Sequence, residues 1–171
     1  MGSERLQRNV PLLYVSRLCA NLIFFVPVIV IFFQRQGLNM TQVMFLQTAF
    51  AVAIVALEVP SGFFADRVGR KPSVFLGAAG VTVACVVYAL GQGFSHFLVA
   101  ELLWALGSSL ISGADAALLY DTLAALDRED EYQKVEGQAT FWAMAGAAGA
   151  SVVGGLLATA GLRVPFYLTV A

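Results

Sequence analysis

Three ionisable residues, Arg17, Glu58 and Asp115, stand inside long apolar stretches of this 171-residue chain. A charged side chain at the centre of a bilayer costs at least about 2.5 to 3.5 kcal/mol, so each needs a partner or a wet cavity. At about 1.5 Å per helical residue, all three sit roughly 10 Å below one membrane surface, close enough in depth to form one cluster. One guanidinium and two carboxylates leave a surplus negative charge, and an under-compensated carboxylate can take up a proton or attract a cationic solute. Asp115 is the expected proton or cation site, with Arg17 and Glu58 as a structural or gating pair. The alternative is a purely structural ion-pair network holding three helices together. Tyr14, Arg17 and Asn21 share one helical face, as do Gln47 and Glu58, while Glu101, Trp104, Ser108, Ser112 and Asp115 form a stripe. These stripes are expected to line a cavity, with Glu101 reaching the opposite interface. A second polar group is the run Gly62 to Lys71, GFFADRVGRK, which sets two arginines, a lysine and an aspartate between two apolar runs.

The elements that must carry these residues follow from composition. The chain is 59% hydrophobic and 12% charged, against about 25% charged in a soluble domain, so the expected solvent is lipid. Apolar runs recur at about 10–33, 41–65, 72–92, 96–120 and 139–160, each near the ~20 residues that cross a bilayer, and a partial sixth occupies 163–171. The runs are continuous rather than alternating, which excludes a β-barrel and predicts an all-α polytopic transmembrane bundle over 1–171. Positive residues favour the cytoplasmic side. Arg5, Arg8, Arg67, Arg70, Lys71, Arg128 and Lys134 fall on one side, and Arg35 and Arg163 on the other. The N-terminus is therefore expected in the cytoplasm, and the first span, too long for a leader and without a small-residue cleavage site, is expected to act as its own uncleaved insertion signal. The acidic segment DREDEYQKVE reads as a solvated connector, and Thr41 as the cap of the second helix.

Other chemistries find little support. His96 is the single histidine and is expected in an external turn; no nucleophile and base and no metal cluster accompany it. Neither an enzyme, a cofactor nor a nucleic-acid partner is expected. Cys19 and Cys85 lie in apolar runs and read as small packing residues.

The spacing G-x-x-x-D-R-x-G-R-K, on the cytoplasmic side between the second and third helices, resembles the signature loop of the major facilitator superfamily. The resemblance implies a cytoplasmic gate latch built on Gly62, Asp66, Arg67, Gly69, Arg70 and Lys71, with Asp121 at the end of the fourth helix as partner for Arg70. Independently, Gly62 would allow another helix to approach, Gly69 a backbone turn, and Asp66 contact with a helix N-terminus. Members of this family usually have two six-helix halves, each of inverted three-helix repeats. The chain thus looks like an N-terminal half ending within helix six, its missing partner being a C-terminal half on the same or a separate chain.

Two family motifs are incomplete. Leu103 stands where proton-coupled drug transporters often carry an arginine four residues before a glycine, here Gly107. In the fifth helix Gly137, Gly146, Gly154 and Gly155 fit an antiporter glycine pattern, but Ala150 and Ser151 replace its Gly-Pro pair. Those four glycines are better explained by tight helix packing. The resemblance implies a secondary active transporter in the cell membrane that moves a small solute by alternating access, coupled to protons or another ion. The alternative is a half-module without activity of its own. Arg17 suits an anion, the carboxylates a cation and Tyr14 and Trp104 an apolar compound, so substrate and direction stay open.

Overall fold

The computed structural model describes residues 2–170, with side chains described over 10–169. Its helices are α1 (Gly2–Ala20), α2 (Ile29–Arg35), α3 (Met40–Val68), α4 (Arg70–Leu90), α5 (Gly93–Ala124), α6 (Tyr132–Leu157) and α7 (Val164–Val170), with short 3-10 turns at Val26–Val28 and Glu129–Glu131. Among the described residues there is no strand. The side chains of Arg5 and Arg8, counted in the charge bias, and Ala171, the last residue of the partial sixth span, lie outside the described residues. Four segments are long and apolar enough to cross a membrane: Met40–Val68, Arg70–Leu90, Gly93–Ala124 and Glu129–Leu157.

The first span differs from expectation. Instead of one helix over 10–33, α1 stops at Ala20 and α2 begins at Ile29. Pro27 removes a backbone donor and disfavours helical geometry at Val26. Asn21 adds a local competitor, because its Nδ2 donates to the Arg17 carbonyl at 2.8 Å. In the gap, the Phe24 N–H donates to Thr169 Oγ1 on α7 at 3.2 Å, so part of the unwound backbone is satisfied from another helix.

Several boundaries also move. Asn39, not Thr41, caps α3: its Oδ1 accepts from the Gln42 N–H at 2.9 Å and Gln42 Oε1 accepts from the Asn39 N–H at 3.0 Å. This reciprocal pair satisfies two donors at the helix start. Asn39→Ala is expected to cost about 1 kcal/mol, read as a lowered thermal midpoint in detergent, whereas Thr41→Ala should leave it unchanged. The run Gly62 to Lys71 is helical almost throughout. Gly69 alone joins α3 to α4, at φ +105°, a backbone conformation that L side chains rarely adopt. His96 sits exposed in the first turn of α5 rather than in a turn before it. Half of the acidic segment belongs to α6, leaving a short connector in which Arg128 Nη2 lies 2.6 Å from Glu131 Oε2. That hydrogen-bonded pair holds the Glu131 carboxyl below its ordinary value.

Small residues set how closely the helices approach. A Cβ on Gly107 of α5 would lie 2.6 Å from the Gly77 carbonyl oxygen of α4, and one on Gly77 would lie equally near the Gly107 oxygen. Packing of α6 uses Gly146, where a Cβ would come 2.7 Å from the Leu18 carbonyl oxygen of α1, and Gly154, where it would collide with the Phe24 carbonyl of the gap between α1 and α2. Gly137 and Gly155 have open space at the Cβ position, so of the four α6 glycines Gly146 and Gly154 are the ones at a close approach. Gly62 too faces open space; the close approach of α3 and α5 instead requires Gly113, whose Cβ would lie 3.3 Å from the Gly62 Cα. The apolar core gathers at the α2 end, where Phe25 stacks on Phe166 at 4.4 Å between ring centroids and Phe32, Phe33, Tyr88 and Phe97 surround them.

Candidate functional site

A half-buried charge cluster forms where α1, α5 and α6 meet. Arg17 sits in the last turn of α1, and its Nε donates to Asp115 Oδ2 on α5 at 2.6 Å. Its two terminal nitrogens grip Glu136 on α6 in a fork, Nη1 to Oε1 at 2.6 Å and Nη2 to Oε2 at 2.9 Å. Such a bidentate pair uses the planar guanidinium fully and is stronger than a single charged hydrogen bond. One turn away, the Tyr14 hydroxyl donates to Gln138 Oε1 at 2.8 Å, a second link between α1 and α6.

Glu58 is not part of this cluster. It is exposed on α3, and α1 packs against α6 and α5 but not against α3. Equal depth in the membrane does not make two helices neighbours, and α5 stands between them. The carboxylate that fills the place expected for Glu58 is Glu136. Sequence reasoning assigned it to the solvated acidic connector; the available clue was its position four residues before Thr140, on the same face of a helix.

Three hollows adjoin along α5. One, of about 330 Å³, is lined by Arg17, Asn21, Ser112, Asp115, Glu136 and Thr140. Another, of about 500 Å³, opens beside the unwound segment and is lined by Asn21, Ile23, Trp104, Ser108, Ser112 and Thr169. The third, of about 390 Å³, holds Glu58 with Ser61, Ser108, Ser109 and Ser112. Ser112 borders all three, so Trp104, Ser108, Ser112 and Asp115 form a continuous polar edge on α5. Glu101 leaves this stripe: it is only 4% exposed and accepts a hydrogen bond from Gln47 Nε2 at 3.0 Å. The expectation that it reaches the interface is therefore corrected, because α3 and α4 enclose it.

At the other charged site, Arg70 Nη1 lies 2.7 Å from Asp121 Oδ2, tying the start of α4 to the end of α5. The contact is an ion pair rather than an aligned hydrogen bond. Arg67 lies over the Phe63 ring at 4.2 Å, a cation–π contact on the last turns of α3. Asp66 and Lys71 are exposed and have no ion pair among the described residues.

Comparison with known proteins agrees with this architecture. Residues 13–171 match the family model described as Major Facilitator Superfamily. Over 146 residues the chain is 26% identical to Multidrug resistance protein 2 of Bacillus subtilis (strain 168), a match covering 85% of this chain and 36% of that protein. Over 81 residues it is 35% identical to Multidrug resistance protein MdtL of Klebsiella pneumoniae (strain 342), covering 46% of this chain and 21% of the relative. The matched regions thus span about a third or less of these relatives' length. With a family match over nearly its whole length and a bundle of long apolar helices, the chain is an integral membrane protein and belongs to the major facilitator superfamily.

Proposed function

We propose that this chain forms the N-terminal half of a secondary transporter that moves a small solute across the cell membrane by alternating access, with its N-terminus in the cytoplasm. The observation that carries the reading is Arg17 held between Asp115 and Glu136 on the wall of an open hollow. Two carboxylates share one guanidinium, so the group carries a net negative charge that a proton or a cationic solute would neutralise. Glu136 holds Arg17 by two hydrogen bonds and Asp115 by one. Asp115 is accordingly the easier to release and the proposed proton or cation site, while Arg17 and Glu136 form the structural pair. Neutralising Asp115 frees α5 from α1 without separating α1 from α6, which gives the coupling a mechanical consequence.

In this reading Arg70 and Asp121 brace the cytoplasmic gate, Gly69 gives the sharp corner that brings them together, and Asp66, Arg67 and Lys71 face the opposing half. That second half, on the same or a separate chain, supplies the other wall of the cavity. The two relatives are named for multidrug resistance, which makes drug-like compounds the first panel to test, although the incomplete antiporter pattern does not itself select them.

The decisive measurement is pH-gradient-dependent transport by the two-half protein in lipid vesicles. Asp115→Asn is expected to fold and to lose about tenfold of the stimulation by the gradient, within the ordinary range of coupling energies. Unchanged gradient dependence in a folded Asp115→Asn protein would sink the coupling role. Uptake by the isolated chain is expected to be absent, since one cavity wall is lacking; measurable uptake would refute the half-transporter reading.

A further inference from the structure

Glu101 lies in the aromatic core, away from the three hollows. It is 4% exposed, and the elements around it supply no compensating charge. From α3 comes the amide of Gln47, whose Nε2 donates to Glu101 Oε1 at 3.0 Å. From α4 comes Tyr88, buried in the same aromatic core, with Cys85 one turn earlier as the other titratable group. The aromatic residues that α2, α5 and α7 add to this core, among them Phe32, Phe33, Trp104 and Phe166, carry no charge. Among the described residues, no arginine, lysine or histidine pairs with Glu101.

A carboxylate in such a place would be a buried charge without a counter-ion, a costly arrangement. A carboxylic acid would not. It both donates and accepts, and the neutral polar groups of this core can do the same: the Gln47 amide has an NH₂ and a carbonyl, and the Tyr88 hydroxyl has a donor and lone pairs. The site therefore suits a neutral acid. An anion could only accept, and neutral donors alone leave its charge unbalanced.

We infer that Glu101 is a second proton-binding site, separate from Arg17, Asp115 and Glu136, and that its bound proton holds α3, α4 and α5 together around the aromatic core. The ligand is the proton itself. Removing it would place a charge in the core and draw in water, loosening the contact between Gln47, Tyr88 and Glu101.

The test uses infrared spectroscopy of the intact chain in lipid bilayers together with thermal unfolding. At neutral pH a protonated carboxylic C=O band is expected, shifted by changes at Tyr88 or Gln47 and absent in Glu101→Gln. The wild-type midpoint is expected to fall as pH rises into the alkaline range, while Glu101→Gln, which keeps the shape and neutrality of the acid, retains its neutral-pH midpoint. Absence of the band in wild type, its persistence in Glu101→Gln, or identical pH dependence of both midpoints would overturn the assignment. Because Glu101→Gln could fold poorly for steric reasons, Tyr88→Phe gives an independent reading: it removes a neighbouring hydroxyl from the core around the acid and should shift the band without abolishing it. An unmoved band in Tyr88→Phe would equally overturn it. None of these readouts measures transport, so the result stands or falls separately from the half-transporter reading.

Discussion

Gly154→Leu is expected to abolish stable folding, while Gly155→Leu, one residue along the same helix, should be tolerated. The contrast follows from what each side chain would meet. A Cβ at Gly154 collides with the Phe24 carbonyl, whereas at Gly155 it meets nothing within 4 Å. The obstructing atom is backbone, and it has little freedom to retreat. Its own N–H is held by Thr169 Oγ1, and the following residue, Phe25, stacks against Phe166. Overpacking a core ordinarily costs about 1 to 3 kcal/mol, with more where neighbours cannot shift; here the upper end or beyond is expected. At Gly155, losing a helical glycine should offset any small change in lipid contact, keeping the effect within about 0.5 kcal/mol. Expression, monodispersity in detergent and thermal midpoint are sufficient to read the pair. If both variants unfold together with wild type, the gap between α1 and α2 does not pack on α6 at Gly154. The prediction thus also tests the break in the first span, because a continuous helix through Phe24 would place that carbonyl elsewhere.

Much of the architecture was legible because hydrophobic length is read directly by the membrane. The long apolar runs marked the four segments long enough to cross a membrane, and Gly69 marked one of the corners with positive φ. Finer features depended on which helices are neighbours, information that no single run contains. Arg17, Glu58 and Asp115 share a depth, yet only Arg17 and Asp115 meet, because α3 does not touch α1. Glu136 was hidden by its sequence context: a carboxylate in an acidic segment looks solvated until the helix start at Tyr132 turns it toward Arg17. The first span was read as one helix because hydropathy does not register Pro27 or the Asn21 side chain that competes for the Arg17 carbonyl. For the glycines, spacing along α6 could not tell Gly146 and Gly154, which meet α1 and the gap after it, from Gly137 and Gly155, which meet open space. Apart from the break in the first span, each of these concerns a contact between helices rather than the existence of a helix.

The second large effect is expected at Arg17. Arg17→Met keeps an unbranched chain of similar reach but leaves Asp115 and Glu136 close together without their cation. Breaking a buried ion pair by removing one partner costs about 3 to 5 kcal/mol. These groups are not fully buried, with side-chain exposures of 14% for Arg17, 23% for Asp115 and 32% for Glu136, so screening lowers the expected loss to about 2 to 3 kcal/mol. Arg17→Lys should recover only part of it, because an ammonium keeps the charge but cannot reproduce the fork to Glu136 together with the bond to Asp115. The triple variant Arg17→Met, Asp115→Asn, Glu136→Gln removes charge on both sides and is expected to be more stable than Arg17→Met alone. That order, with the triple variant above the single one, separates an electrostatic cause from loss of packing by the arginine stem, which both variants share. Thermal unfolding of the three proteins in one detergent gives the comparison. Were the triple variant no more stable than Arg17→Met, the cluster would hold the helices by shape rather than by charge, and the proton or cation site proposed at Asp115 would lose its physical basis.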